Sequence, residues 1–274
     1  MYYDIGDKIP YLYLQMGRLR IWGRSLQFIN KEESLTIPIG QYSALFIGPG
    51  VSLTDRAIKY SASMGTLLLF VGEDVSRCYA ILPAFNKNSE VFLKQIDLYR
   101  TKKKQLLKKY FKLRFNKTLI GWRGLSEEKL RGLESSYMKK IYIESAKKYG
   151  IHWIGRMKED QWENNTIYNK GISICNSFLY GMASAVLNAL GYSPALGLLH
   201  TGNTLSLSFD IADIYKSEFS IPLGFEIARE ASKNKELNVD KEIRRKALSK
   251  IKDEKLISKM VADIKYIYDD NNNR

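Results

Sequence analysis

The apolar pattern of this chain changes period near residue 85, and that change bounds the fold more tightly than any motif does. Before it, apolar residues alternate or fall in short runs separated by turns: "YLYLQM", "RLRIW", "SLQFI", "SLTIPIG", "SALFIG", "GTLLLFVG" and "RCYAIL". Side chains that switch faces at every residue make half-buried strands, so this region reads as a small β domain. One helix interrupts it, "TDRAIKYSASMG", with Thr54 placed to cap its start and Gly65 its end. The "GPG" at 48–50 lacks the Lys-Ser/Thr of a phosphate-binding loop and reads as a tight turn.

"PAFNKNSE" then breaks the pattern, which makes residues 84–89 the candidate linker, and helical spacing dominates from residue 89. The expected fold is α+β: a β-rich domain over 1–85, then a larger α-helical domain over 86–274 that ends in a Lys-rich tail. The helical half opens with "EVFLKQIDLYRTKKKQLLKKYFKLRFNK", read as one helix. Next, "LSEEKLRGLESSYMKKIYIESAKKYGI" has Ser126 as N-cap and Gly150 as terminator, with an apolar stripe through Leu130, Leu133, Tyr137 and Ile141. The segment "NKGISICNSFLYGMASAVLNALGYSPALG" is apolar on nearly every side, so it reads as the central helix, ended by Gly191 and Pro194.

Charge narrows the function. The chain holds 43 Lys+Arg against 29 Asp+Glu, a net +14, more than solubility needs, and a polyanion is the natural partner. Residues 1–85 carry only 8 basic and 7 acidic side chains, so the excess lies almost wholly in the helical half. Between 86 and 117 there are 11 basic and 2 acidic residues with Tyr99, Tyr110, Phe111 and Phe115 interleaved. That mixture suits a nucleic-acid track, although any one lysine reads equally as part of a solvated face. The longest apolar runs are too short to cross a bilayer and the N-terminus has no basic-then-hydrophobic leader, so a cytoplasmic protein is expected. Cys78 and Cys175 lie in apolar surroundings without a CxxC or Cys/His cluster; buried thiols are expected, not a disulfide or a zinc site.

The chemistry concentrates in "LLHTGNTLSLSFDIADIYK", residues 198–216. His200, one of two histidines, precedes a Thr-Gly turn, and Asp210 and Asp213 stand at i and i+3, on one side if the stretch is helical. Flanked by Phe209, Ile211 and Ile214, that side is at least partly buried. Two carboxylates out of water repel each other unless something positive lies between them, and His200 reaches them across the turn. Glu134 falls within the apolar stripe of its helix, facing the core with no obvious cationic neighbour, so it needs a cation, a proton or a metal ion. Mixed Glu/His/Asp ligation leaves room for water and substrate oxygens, which suits Mg²⁺ or Mn²⁺ better than a closed zinc site. Such an ion acts on phosphodiesters. A satisfied core histidine, with Asp210 merely capping a helix, is the competing account of the same residues.

These stretches, with "RGLESSY", "LYGMASAVLNALGYSPALG" and "IPIGQYSALFIGPGVSLTDRAIKYSASMGTLLLFVGE", resemble the CRISPR-associated spacer integrase family, most closely its type I-E branch. The similarity runs in order from about residue 8 to about residue 230. It implies a β domain joined to a helical catalytic domain, with metal ligands at Glu134, His200 and Asp213 and with Asp210 as a further acid of the same motif. The implied reaction is transesterification: the 3′-hydroxyl of a short DNA fragment attacks a phosphodiester at one end of the CRISPR repeat, then at the other. The implied partners are double-stranded and branched DNA, a second copy of the chain, and a small ferredoxin-like subunit contacted with the near-neutral β domain. Lys102, Lys103, Lys104, Lys108, Lys109 and Lys112 are the candidate phosphate contacts, and Tyr180 matches an aromatic position near the DNA end, though a core role fits it as well. Two positions depart from the branch: Asn203 stands after "HTG" where Lys is common, and Lys158 stands about where an aromatic is expected. Two other accounts use the same residues: a metal-dependent nuclease or junction-resolving enzyme acting alone with water as nucleophile, and a DNA-binding scaffold without catalysis.

Overall fold

A computed structural model of the chain describes residue 9 and residues 12–42, 44–72, 78–82, 89–115, 124–155 and 166–269. The β half runs β1 (Leu12–Leu14), β2 (Gly17–Trp22), β3 (Ser25–Ile29), β4 (Ser34–Ile37), β5 (Ala44–Ile47), β6 (Val51–Leu53), α1 (Asp55–Ser63), β7 (Leu67–Val71) and β8 (Cys78–Leu82). These strands form two sheets, ordered β4-β3-β2-β6 and β1-β5-β7-β8. In the first, β2, β3 and β4 are an antiparallel meander and β6 joins β2 in parallel. In the second, β1, β5 and β7 are parallel and β8 closes the edge antiparallel to β7. The "GPG" is indeed a turn: Pro49 and Gly50 carbonyls accept from Met16 and Gly17, and Gly50 has φ 73°.

The second sheet is the middle layer of three. Leu45, Ile47 and Leu68 on one face pack with Leu19, Leu26 and Phe28 of the meander. Ala44, Phe46, Leu67 and Leu69 on the other face belong to the core of the helical half. A strand buried on both faces reads as a continuous apolar run, which accounts for "LFI" and "LLLFV". The boundary expected at 85/86 lies outside the described residues, and across it the two halves share one core rather than merely adjoining.

The helical half comprises α2 (Glu90–Thr101), α3 (Lys103–Arg114), α4 (Glu127–Tyr149), α5 (Ile167–Leu190), α6 (Ser206–Lys216), α7 (Ser220–Lys233), α8 (Val239–Asp253) and α9 (Leu256–Tyr268). As expected, α5 is central. Phe178 on α5 stacks on Phe46 at 6.3 Å, and a Cβ at Gly181 would stand 3.1 Å from Leu69, so that glycine sets how closely the helix meets the sheet. Thr54 caps α1 through Ala57 N, Ser126 caps α4 through Lys129 N, and Gly150 and Gly191 end α4 and α5 in the left-handed conformation.

The single helix expected over 90–117 is instead two. Lys102 leaves helical geometry with φ −127° and ψ 21°, and α3 starts afresh after it. The break lets two faces bury separately. Gln95 on α2 exchanges hydrogen bonds with the backbone of Ser193, while α3 buries Leu106, Leu107, Tyr110, Phe111 and Arg114. Cys175 is fully buried and desolvation pushes its thiol well up, as an inert core residue. The side chain of Cys78 lies outside the described residues. No helix among the described residues is long and apolar enough to cross a membrane.

Candidate functional site

The site forms where α6, α4 and the end of α3 meet the 198–200 loop. Asp210 is fully buried on α6 and turns its carboxylate into that loop. Its Oδ2 accepts from Leu198 N at 2.5 Å and Leu199 N at 3.1 Å; its Oδ1 accepts from His200 N at 3.1 Å and lies 2.6 Å from His200 Nδ1. A carboxylate at Nδ1 holds the proton there, so the neutral imidazole presents the Nε2 lone pair away from Asp210. From the other side Arg131 of α4 donates to the Leu199 carbonyl at 3.1 Å. The hydrogen bond to Asp210 is the main reason the His200 pKa is raised; burial opposes it. The His200 side chain stays 47% exposed.

Asp213, one turn further on, meets a different environment. Its Oδ1 forms an ion pair with Lys216, whose ammonium also donates to the Tyr180 hydroxyl at 2.7 Å and lies 4.9 Å from that ring's centroid. Burial alone would lower the Lys216 pKa, but Asp213 and the Tyr180 hydroxyl more than offset it. Tyr180 packs edge-on against Phe209, as does His200, at 4.9 and 5.9 Å.

Glu134 is joined to Asp213 through Arg114. This guanidinium, 2% exposed, donates from Nε to Glu134 Oε1 at 3.0 Å, from Nη1 to the Asp213 carbonyl, and from Nη2 toward Met138 Sδ at 2.8 Å. Glu134 therefore does have a cationic neighbour, contrary to the sequence expectation, and its side chain is 19% exposed rather than sealed in the core. The sequence held a signal for this. Arg114 sits on the apolar face of α3 between Phe111 and Phe115, just as Glu134 sits on that of α4, and two opposite charges on two apolar stripes are natural partners. Lys216, three residues after Asp213 and so on the same side of α6, is the second positive group, and it rather than His200 neutralises Asp213.

Glu134, His200, Asp210, Asp213 and Tyr180 thus belong to one connected network, whereas the candidate lysines lie along α3 and at its start. Lys104 and Lys108 are exposed on α3. Lys103 lies over Tyr99, and Lys109 and Lys112 lie over Tyr266 of α9, Lys109 also donating to the Asp269 carbonyl. Asn203 closes a local turn, its Oδ1 accepting from Leu205 N at 2.8 Å just before α6. Lys158 lies outside the described residues. Among the described residues no three His, Cys, Asp or Glu side chains stand close enough to form a ready metal cluster. Two carboxylates and an imidazole nonetheless fit a hard divalent ion by donor chemistry, and the Asp210 contact leaves the histidine in the ligating tautomer.

Comparisons with known proteins place the chain in a family. Residues 11–112 match the model of the family described as CRISPR associated protein Cas1. The CRISPR-associated endonuclease Cas1 of Escherichia coli (strain K12) is 36% identical over 227 residues, 81% of this chain and 74% of that protein. The protein of the same name from Clostridium sp. (strain SY8519) is 30% identical, covering 96% of this chain and 87% of its own length. Among solved structures, the crystal structure of a TtCas1–DNA complex superposes with a TM-score of 0.72 at 28% identity, covering 96% of this chain and 98% of that one. The identity to these relatives and the share of the chain it covers lead to one conclusion: the chain belongs to the Cas1 family of CRISPR-associated proteins.

Proposed function

We propose that this chain is a metal-dependent DNA integrase of CRISPR adaptation, with Glu134, His200 and Asp213 holding a Mg²⁺ or Mn²⁺ ion. The observation that carries the reading is the shared framework of these three side chains. Glu134 and the Asp213 backbone meet on one guanidinium, and His200 is fixed in tautomer and direction by Asp210 on the same helix as Asp213. The ion, when bound, supplies charge neutralisation at the phosphate and orientation of the attacking oxygen.

The remaining work falls to the chain. Asp210 holds the proton on His200 Nδ1 and keeps the loop in place. Lys216, held between Asp213 and Tyr180, supplies the positive charge beside the Asp213 carboxylate. The 3′-hydroxyl of the incoming strand attacks phosphorus and loses its proton; the bond to the 3′-oxygen of the strand flanking the repeat breaks, and that oxygen is protonated. One phosphodiester replaces another, so no protein nucleophile is needed. The exposed lysines of α3 suit the phosphate track, and the near-neutral β half suits contacts with a second copy and a ferredoxin-like subunit.

A labelled branched DNA mimicking a half-integrated fragment tests this reading, incubated with protein in Mn²⁺ or Mg²⁺, with and without EDTA, beside His200→Ala. The expected result is rejoining of the flanking strand with release of the branch, abolished by EDTA and by the substitution. Cleavage without rejoining assigns the site to a nuclease instead, and turnover that survives EDTA removes the metal from the account.

A further inference from the structure

We propose that Arg114 is the positioning residue of this site, the group that ties the Glu134 carboxylate of α4 to the Asp213 turn of α6. The inference rests on the metal reading above.

Burying a guanidinium is costly unless its donors are met, and at 2% exposure Arg114 recovers that cost from three contacts. A purely structural arginine would spend them on whatever backbone lay nearby. Arg114 directs two of the three at candidate ligand residues on two separate helices: the side chain of Glu134 on α4 and the carbonyl of Asp213 on α6. It reaches both from a third helix, α3, and the Met138 contact, one turn after Glu134 on α4, fixes the remaining nitrogen. The fork is rigid and planar, so it specifies an angle as well as a distance, which a lysine ammonium cannot do. The guanidinium holds one oxygen of Glu134, and a carboxylate has a second to give to a cation.

Two effects of Arg114 on metal binding oppose each other, and their signs separate the hypotheses. Its positive charge repels a divalent ion nearby, so if charge were its whole influence, removing it would tighten binding. If it positions the ligands, removing the fork weakens binding, by ~10- to 100-fold for the loss of a group that orients a metal ligand.

The experiment measures Mn²⁺ affinity of the DNA-free protein from the electron paramagnetic resonance signal of unbound Mn²⁺, with thermal unfolding in EDTA reporting the metal-free fold. Wild type is compared with Arg114→Lys, Arg114→Gln, Glu134→Gln as the measure of a lost ligand, and Leu107→Ala as a lesion of the α3 core remote from the guanidinium. Weakening of about tenfold or more in both Arg114 variants, with Leu107→Ala within about threefold of wild type, is the expected result. Arg114→Gln binding more tightly than wild type would show that charge dominates, and would overturn the proposal. So would an unchanged Arg114→Lys, or an equal loss in Leu107→Ala. A wild type that binds no Mn²⁺ while unfolding cooperatively would instead sink the metal reading and this inference with it.

Discussion

The outward face of α3 and its inward end are both basic, yet they use charge in opposite ways. Outward, Lys104 and Lys108 stand in solvent, and Lys103, Lys109 and Lys112 lie over aromatic rings. Inward, Arg114 is fully buried, with each donor group directed at a partner on another helix, and Lys216 of α6 is similarly enclosed against Asp213 and Tyr180. Exposed charges act at long range, are screened by salt and substitute for one another. Buried ones act over one hydrogen bond and cannot be exchanged. A net charge of +14 counts both kinds alike, although only the first is a property of composition.

The sharpest contrast should appear where the inward region depends on one side chain. Asp210 accepts from three consecutive backbone N–H groups and contacts the His200 ring. Asp210→Ala leaves those donors without their acceptor in a buried setting, so the metal-free protein should lose about 3 kcal/mol or more in urea unfolding, at ~1–3 kcal/mol per stranded donor. A loss under about 1 kcal/mol would mean that the loop is held by other contacts, and the inward region would be as tolerant as the outward one.

A smaller effect follows from the same pair through pH. His200 has a folded pKa raised mainly by its hydrogen bond to Asp210. A raised basic pKa means the folded state binds the proton more tightly than the unfolded one. The stability this adds is fully present below the unfolded value of about 6.5 and disappears as pH rises through the folded value. Metal binding runs the other way, because ligation needs the neutral ring. The His200 imidazole shift in an NMR titration should therefore move its midpoint down toward the ordinary histidine value in Asp210→Asn. An unmoved midpoint would separate His200 from Asp210 in solution.

What the sequence disclosed and what it concealed divides along similar lines. The caps at Thr54 and Ser126 and the glycine ends at Gly150 and Gly191 are written within a few residues of where they act, and each stands where expected. The grouping of strands into two sheets is not local: β1 pairs with β5 and β2 with β6 across intervening chain, and nothing in either strand names its partner. The break at Lys102 was hidden because the Lys-rich run around it satisfies helical propensity on both sides, while packing of Gln95 and of the α3 core decided the ends. For the site, spacing along α6 was enough to single out Asp210 and Asp213. It could not tell that one faces a backbone loop and the other a lysine, since that depends on which elements close over each side of the helix.

The smallest effect belongs to the outward face, and there the comparison predicts additivity. Lys104 and Lys108 are one helical turn apart and exposed, so each should contribute about one released counterion on binding duplex DNA. Lys104→Ala should reduce the slope of log K against log salt by about 0.9, and Lys104→Ala with Lys108→Ala by about 1.8, with unfolding free energy changed by no more than about 0.5 kcal/mol. Lys109→Ala is the informative neighbour. Its ammonium is already engaged by the Asp269 carbonyl and the Tyr266 ring of α9, so its removal should cost stability by loosening α9 on α3 and change the salt slope less than Lys104→Ala does. If instead Lys109→Ala produced the full slope change with no loss of stability, the stacked lysines would be free to meet phosphate. The division between outward and inward charge would then begin only at Arg114.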